Sequence, residues 1–220
     1  MLGQPGVMEQ GVDSWWVIGA SLGLGVLPLA LVMTTCYTKV SIVLALLRNA
    51  LGVQQVPSNL ALSGIALAIT MLVMAPVAET IGGGLDVDGM LTGTHFPSLG
   101  EMVDAVRSPI ERFMLRYVDA SELDALRAAL GEEGGDGDVP RLSVLVPAFV
   151  VSEVASAFKI GMYLALGFAV VDLIVANLTM AMGMTMFPPT TLSIPLKLLV
   201  FVATAGFSRT VRGLIQAYAG

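Results

Sequence analysis

The chain has 220 residues, of which 55% are hydrophobic and 13% charged. A soluble domain carries about 25% charged residues, so this composition excludes an ordinary soluble fold and favours an integral membrane protein. The net charge of −6 is concentrated between Glu79 and Arg141, where thirteen acidic residues accompany five basic ones. This acidic balance also argues against a nucleic-acid-binding protein, which needs a basic face to displace counterions.

The first two apolar stretches predict a helical hairpin. The first runs from Trp15 to Leu47, and its 33 residues are too many for one straight span, so we expect it to be kinked or partly outside the bilayer. The second, Leu60 to Ala78, follows a short polar turn. Cys36 is the single cysteine, which excludes an internal disulfide, and its apolar setting predicts a small buried side chain.

The acidic segment, residues 79–143, predicts a helical insert outside the membrane. Helix starts are indicated by a serine or aspartate followed three residues later by glutamate, at Ser98–Glu101, Ser108–Glu111 and Asp119–Glu122. Pro109 suits the first turn of the second of these helices, and Gly131 is expected to end the third. No strand alternation is present, so we expect an all-α chain with segments 1–78, 79–143 and 144–220.

Two further apolar stretches, Ile160–Phe187 and Thr190–Phe207, predict a second hairpin. Between them, Pro188 and Pro189 remove two amide donors and interrupt any helix.

Methionines at every second position precede these prolines, at Met180, Met182, Met184 and Met186. In a non-helical turn they could line one side, and flexible apolar side chains can form a hydrophobic constriction that excludes water. The alternative is that they fill a core. The predicted gate consists of Met182, Met184, Met186 and Phe187, and the predicted turn of Gly183, Pro188 and Pro189.

Charged residues inside the apolar stretches predict contacts away from lipid, because each costs about 2.5–3.5 kcal/mol at the centre of a span. Asp172 lies sixteen residues before Pro188 and Lys197 eight after Pro189. In a simple hairpin their depths differ by about 12 Å at 1.5 Å per residue, so we do not expect them to pair with each other. We expect contacts with other subunits, or with water, at Lys39, Asp172 and Lys197, and also at Glu153 and Lys159, which lie just before the third stretch.

The residues leave two other functions to consider, an enzyme and a small transporter. An enzyme is disfavoured, since His95 is the single histidine and Gly82–Gly84 lacks the lysine of a phosphate-binding loop. No cofactor is expected. A small ion channel or secondary transporter, with Asp172 and Asn177 coordinating an ion near a broken helix, is the stronger rival.

Short motifs in the apolar regions resemble the FliP/SctR family. They are Leu47–Gly52, Met74–Val77, Ser152–Glu153, Ala157–Gly161, Met182–Met184, Pro188–Pro189 and Ile194–Lys197. The resemblance covers residues 31–78 and 145–220, while the insert matches poorly. Residues 52–57 are more similar to the injectisome branch than to the flagellar one. Departures from the family pattern are Ser58, Thr185 and Phe207.

The resemblance implies a pore-forming subunit of the type III secretion export gate in a bacterial inner membrane. Five copies would assemble with FliQ/SctS-like and FliR/SctT-like subunits into a cone, partly above the bilayer plane, that passes unfolded substrate proteins. The family's methionine gasket corresponds to Met184 and Met186. Arg48 favours a cytoplasmic first turn, and with both turns inside, the insert and both termini are expected to be periplasmic.

Overall fold

The structure is a computed structural model that describes residues 18–19, 21, 25–26, 28–53, 56–85, 98–131, 140–184, 186 and 188–219. The described residues include the helices α1 (Pro28–Thr34), α2 (Tyr37–Leu51), α3 (Asn59–Gly84), α4 (Leu99–Tyr117), α5 (Ala120–Leu130), α6 (Leu142–Ala181), α7 (Thr190–Ala203) and α8 (Gly206–Gln216). The described residues contain no strand, so the prediction of an all-α chain is confirmed. His95 and Phe187 lie outside the described residues.

The first apolar stretch is kinked, as predicted. Helices α1 and α2 meet at an angle of 79°. The break lies at residues 35–36, where the hydroxyl of Thr35 donates to the carbonyl of Leu31 at 2.7 Å and that of Thr38 to Val32 at 2.9 Å. These hydroxyls satisfy carbonyl groups at the break. Cys36 is fully buried there, which confirms the expectation of a small buried side chain.

The first hairpin turns between α2 and α3. Gly52 ends α2 with a φ of 79°, a left-handed conformation that favours glycine. Arg48 then ties the turn together, because its guanidinium donates to the side-chain oxygen of Asn59 at 2.7 Å and to the carbonyl of Pro57 at 3.3 Å. Ser58 caps α3, which continues to Gly84, beyond the apolar stretch.

Two of the three helix starts expected in the insert are confirmed. Ser98 forms a capping box with Glu101, and Asp119 caps α5, which ends at a left-handed Gly131. The start expected at Ser108 is wrong, since α4 runs through Pro109 without interruption.

The continuity of α4 at Pro109 has a local cause. A proline inside a helix removes one backbone hydrogen bond, but Arg107 and Glu111 form an ion pair of 2.7 Å across this position. Phe113 and Met114, in the next turn, are buried in the core. We infer that the burial of Phe113 and Met114 outweighs the tendency to begin a new helix at Ser108, because an exposed ion pair one turn apart contributes only about 0.2–0.5 kcal/mol.

The core is shared between the insert and the first part of the membrane helices. It contains Cys36, Val40, Val43 and Leu44 of the α1–α2 region, Leu62, Ala66 and Ile69 of α3, Phe113, Met114 and Leu123 of the insert, Val144, Leu145, Ala148, Phe149 and Ala157 of α6, and Leu214 and Tyr218 at the C-terminal end. The insert helices α4 and α5 therefore pack onto α6 rather than standing apart from the hairpins.

Helix α6 has 40 residues and begins well before the third apolar stretch. At 1.5 Å per residue it is about 60 Å long, twice the roughly 30 Å thickness of a bilayer hydrocarbon core. The described helices α3 and α6 are each long and apolar enough to cross a membrane. The bent pairs α1–α2 and α7–α8, the second with an angle of 61°, raise the number of candidate spans to as many as four.

Candidate functional site

The methionine segment forms a closed turn at the end of α6. The amide of Gly183 donates to the carbonyl of Met180, and the amide of Met184 donates to that of Thr179, both at 3.0 Å. Gly183 has a φ of 76°. This pattern is a Schellman motif, in which a left-handed residue satisfies the last carbonyls of a helix. The helix thus ends at Ala181, seven residues before Pro188, and Met180 is still helical.

The methionine side chains of this turn are exposed. Met182 is 73% exposed, Met184 37% and Met186 99%. Pro188 and Pro189 follow, and α7 begins at Thr190. Large apolar side chains on an exposed turn signify a surface that another molecule covers. The gate role of these residues and of Phe187 stays a prediction.

The charged residues inside the helices form two ion pairs within the chain, and the first is buried. Lys39 of α2 lies 2.9 Å from Glu153 of α6, and their side chains are 8% and 1% exposed. The hydroxyl of Tyr218 donates to the second carboxylate oxygen of Glu153. The ammonium of Lys39 also lies 4.5 Å from the centre of the Tyr218 ring. A buried charge pair of this kind needs such additional partners to offset its desolvation.

Tyr218 connects this pair to the insert. Its carbonyl oxygen accepts a hydrogen bond of 2.6 Å from the hydroxyl of Tyr117, at the end of α4. The network therefore joins α2, α4, α6 and the C-terminal end. Sequence reasoning missed it, because 114 positions separate Lys39 from Glu153 and no local spacing relates either to Tyr218.

The second ion pair corrects a prediction. Lys197 of α7 lies 2.6 Å from Asp172 of α6, although we expected these residues not to pair. The expectation counted every residue up to the prolines as helix, whereas α6 ends at Ala181 and α7 begins at Thr190. Measured from these helix ends, Asp172 is about 13 Å deep and Lys197 about 10 Å at 1.5 Å per residue, so the two are nearly level.

Lys197 also anchors the first hairpin. Its ammonium donates to the carbonyl of Ala50 at 3.2 Å, one of the last carbonyls of α2. A cation at a helix C-terminus interacts favourably with the helix dipole and with carbonyls that lack a partner in the helix. Nearby, a Cβ on Gly52 would lie 3.1 Å from a side-chain carbon of Ile194. The first turn and the start of α7 are therefore in close contact.

Lys159 is the exposed member of the predicted set. It lines a polar cavity of about 270 Å³ between α6 and the insert, together with Asp119 and Ser152. The amide of Asp119 donates to the Ser152 hydroxyl at 2.9 Å. Hydrogen bonds from the Ser121 side chain and backbone amide hold the pKa of Asp119 below its ordinary value. The predicted contacts with other subunits stay a prediction for Lys39, Glu153, Lys159, Asp172 and Lys197.

A close helix contact lies between the two ion pairs. A Cβ on Gly161 of α6 would collide with one methyl carbon of Leu46 and would fall 3.0 Å from the Leu46 Cβ. Only a residue without a side chain lets α2 approach α6 at this point.

The geometry does not support the transporter alternative. The Asp172 carboxylate is paired with an ammonium group, and Asn177, five residues further on, is exposed. Within the described part of the chain, no group of three histidine, cysteine or acidic side chains is placed to hold a metal ion.

Together these features define a helical membrane protein with one buried ion pair, a second, partly exposed pair further along α6, and an exposed apolar turn at the end of that helix. The sequence profile of the FliP family matches residues 22–214. The hypersensitivity response secretion protein HrcR of Ralstonia nicotianae is 38% identical over 95% of this chain and 99% of its own length. The Yop proteins translocation protein R of Yersinia pestis is 38% identical over 90% and 93%, and the surface presentation of antigens protein SpaP of Salmonella typhimurium 38% identical over 87% and 91%.

The chain therefore belongs to the FliP family. Its homologues are components of the type III secretion export apparatus, and those named above are of the injectisome type, as the sequence motifs predicted. The family is a structural component of this apparatus in the inner membrane.

Proposed function

We propose that this chain is a pore-forming subunit of the type III export gate and that the methionine turn forms its constriction. The observation that carries the proposal is the exposure of Met182, Met184 and Met186 on a turn that a Schellman motif closes. Unfolded secretion substrates would pass through a ring of such turns. Methionine is suited to this role because its flexible apolar side chain can fill a gap and still yield to a passing chain.

The exposed apolar surface of the membrane helices supports an oligomer. Beyond Gly161, α6 exposes a series of large apolar side chains that includes Met162, Leu166, Leu173 and Leu178. The 20 residues from Met162 to Ala181 cover about 30 Å, one bilayer thickness, so lipid or neighbouring subunits would cover this surface. We propose five copies of the chain together with FliQ/SctS-like and FliR/SctT-like subunits.

Two contacts support the proposed orientation. The Tyr117–Tyr218 hydrogen bond joins the insert to the C-terminal end, so both belong on one side of the membrane. The contact of Gly52 with Ile194 brings the first turn close to the second hairpin. Since Arg48 favours a cytoplasmic first turn, the insert and the termini would be periplasmic.

The gate is tested by removing its side chains. The double substitution Met184→Ala and Met186→Ala is expected to leave assembly intact and to increase ion leakage across the inner membrane, because a wider, less apolar constriction holds water. Met102→Ala, at an exposed methionine of α4, is the matched control. Ion flux in cells that express the assembled complex is the measurement. Unchanged permeability in the double variant would reject the constriction.

The subunit composition is tested separately. We expect native mass spectrometry of the chain, co-expressed with neighbouring hydrophobic subunits and purified in mild detergent, to give five copies bound to smaller partners. A monomer or a dimer without partners would contradict the export gate and would return Asp172 to consideration as a transport site.

A further inference from the structure

A cavity of about 350 Å³ lies between α3, α4 and the C-terminal end, away from the methionine turn. It falls within the range of about 300–1,000 Å³ that is usual for small-molecule sites. Its lining comprises Val73, Pro76, Val77 and Thr80 of α3, Pro109, Arg112, Phe113, Arg116 and Tyr117 of α4, and Tyr218.

The cavity spans the level at which α3 ceases to be apolar. From Asn59 to Ala78 the helix carries no charged residue, and Glu79 is the first. These twenty residues cover about 30 Å at 1.5 Å per residue, which equals the thickness of a hydrocarbon core. Val73 and Val77 therefore belong to the apolar part of α3, whereas Thr80 lies just beyond it. For an α3 that spans the bilayer from Asn59, this is the level of lipid headgroups.

The polar wall of the cavity suits an anion. Arg112 and Arg116 are both exposed and lie one turn apart on α4. Arg112 donates from Nε to the carbonyl of Ser108 at 3.3 Å, and the Arg116 guanidinium lies 5.7 Å from the centre of the Tyr117 ring. A guanidinium matches the oxygens of a phosphate with two parallel hydrogen bonds. Among the described lining residues none is acidic.

The aromatic floor is also typical of a membrane interface. Tyr117 and Tyr218 meet with ring centres 5.0 Å apart, and Phe113 packs against both. Tyrosine is enriched at the headgroup level, where its ring has an apolar body and a polar end. One cavity thus combines two cations, an amphipathic aromatic floor and an apolar wall that continues onto α3.

We propose that this cavity binds an anionic phospholipid, with the phosphate at Arg112 and Arg116 and the start of an acyl chain along Val73 and Val77. A free phosphate would use the arginines and leave the apolar wall empty. An acidic segment of a partner protein would bind the arginines, but it would not extend along the apolar wall into the hydrocarbon layer. The proposal concerns a surface remote from the gate and does not depend on the export function.

The test compares two pairs of arginines in the full-length chain, purified with the subunits that it retains. Binding of dioleoyl phosphatidylglycerol and of the zwitterionic dioleoyl phosphatidylethanolamine is titrated by native mass spectrometry in the same detergent. The variant Arg112→Gln with Arg116→Gln is expected to bind phosphatidylglycerol at least about tenfold more weakly. The control, Arg209→Gln with Arg212→Gln, removes two exposed arginines of α8 and is expected to bind as the parent does.

Three results would overturn the proposal. The first is equal binding of the two lipids by the parent chain. The second is displacement of phosphatidylglycerol by an equal concentration of inorganic phosphate, which would identify a site for a free anion. The third is loss of a partner subunit from the Arg112/Arg116 variant while its lipid binding stays unchanged, which would identify a protein interface.

Discussion

The two ends of α6 are similarly apolar, yet they lie in opposite environments. Eight of the ten buried residues of this helix fall between Val144 and Gly161, and only Val175 and Thr179 are buried beyond that point. The first end packs against α2 and both insert helices. The second end contacts α7 through the Asp172–Lys197 pair and leads into the exposed methionine turn.

This difference shows that hydropathy alone does not predict which part of a helix is buried by its own chain. Glu153 is a charged residue, but it is among the most buried side chains, with Lys39 paired to one carboxylate oxygen and the Tyr218 hydroxyl donating to the other. Met186 is apolar, but it is almost fully exposed. One end of α6 is completed by its own chain, whereas the other is left for lipid or other subunits.

The largest expected effect comes from a substitution in the buried end of α6, between Val144 and Gly161. Glu153→Ala leaves the Lys39 ammonium buried without its partner and deprives the Tyr218 hydroxyl of its acceptor. We expect the free energy of unfolding to fall by about 3–5 kcal/mol, the usual cost of removing one member of a buried ion pair. Urea unfolding of the chain in mild detergent, followed by circular dichroism, measures the change.

The control for this prediction is Asp124→Ala, at an exposed carboxylate of α5. Such a surface substitution is expected to change the free energy of unfolding by no more than about 0.5 kcal/mol. If both variants lost the same free energy, the Lys39–Glu153 pair could not be what holds this end of α6.

An intermediate effect is expected at the second ion pair. Lys197→Met removes the partner of Asp172, whose side chain is 44% exposed and keeps part of its hydration. The free energy of unfolding is therefore expected to fall by about 1–3 kcal/mol, less than at Glu153. Lys159→Met, at an exposed lysine, is the matched control.

A double-mutant cycle distinguishes an ion pair within the chain from an ion pair between subunits. Combining Lys197→Met with Asp172→Asn is expected to show a coupling of roughly 1 kcal/mol in the dissociated chain. A coupling that appears only in the assembled complex would mean that these residues meet partners on other subunits.

Local patterns predicted much of the fold, and distances along the chain explain what they missed. The capping box at Ser98, the stop at Gly131 and the kink in the first stretch depend on neighbouring residues, and all are confirmed. The Asp172–Lys197 pair was misjudged because depth in a hairpin depends on where the helix ends. That end is set by the left-handed Gly183 rather than by Pro188.

In the candidate site too, the local feature was predicted from the sequence and the long-range contact was not. The methionine turn was predicted from its glycine and its prolines, which fix the backbone locally. The Lys39–Glu153–Tyr218 network joins residues from three distant parts of the chain, and nothing in their spacing indicates that they meet. Such a contact follows from the packing of α2 and the C-terminal end onto α6, which a single sequence does not reveal.

The smallest expected effects come from the same substitution, glycine to alanine, at two positions of the exposed end of α6 and its turn. At Gly183, where φ is 76° and a Cβ would meet no atom within 4 Å, replacement by alanine strains the backbone alone. The expected cost is about 1 kcal/mol. At Gly167, in the middle of the exposed end of α6, a Cβ also meets nothing within 4 Å and φ is not left-handed. Alanine there is expected to stabilise the helix by about 0.5–1 kcal/mol.

The opposite signs of these two effects are the informative result, and urea unfolding in the same detergent measures both. Because neither glycine has a neighbour to clash with, packing cannot account for a difference between them, and only the backbone conformation can. If Gly183→Ala were stabilising as well, α6 would extend past Met182 without a Schellman turn. The methionines would then be distributed around a helix, and they could not line one side of a constriction.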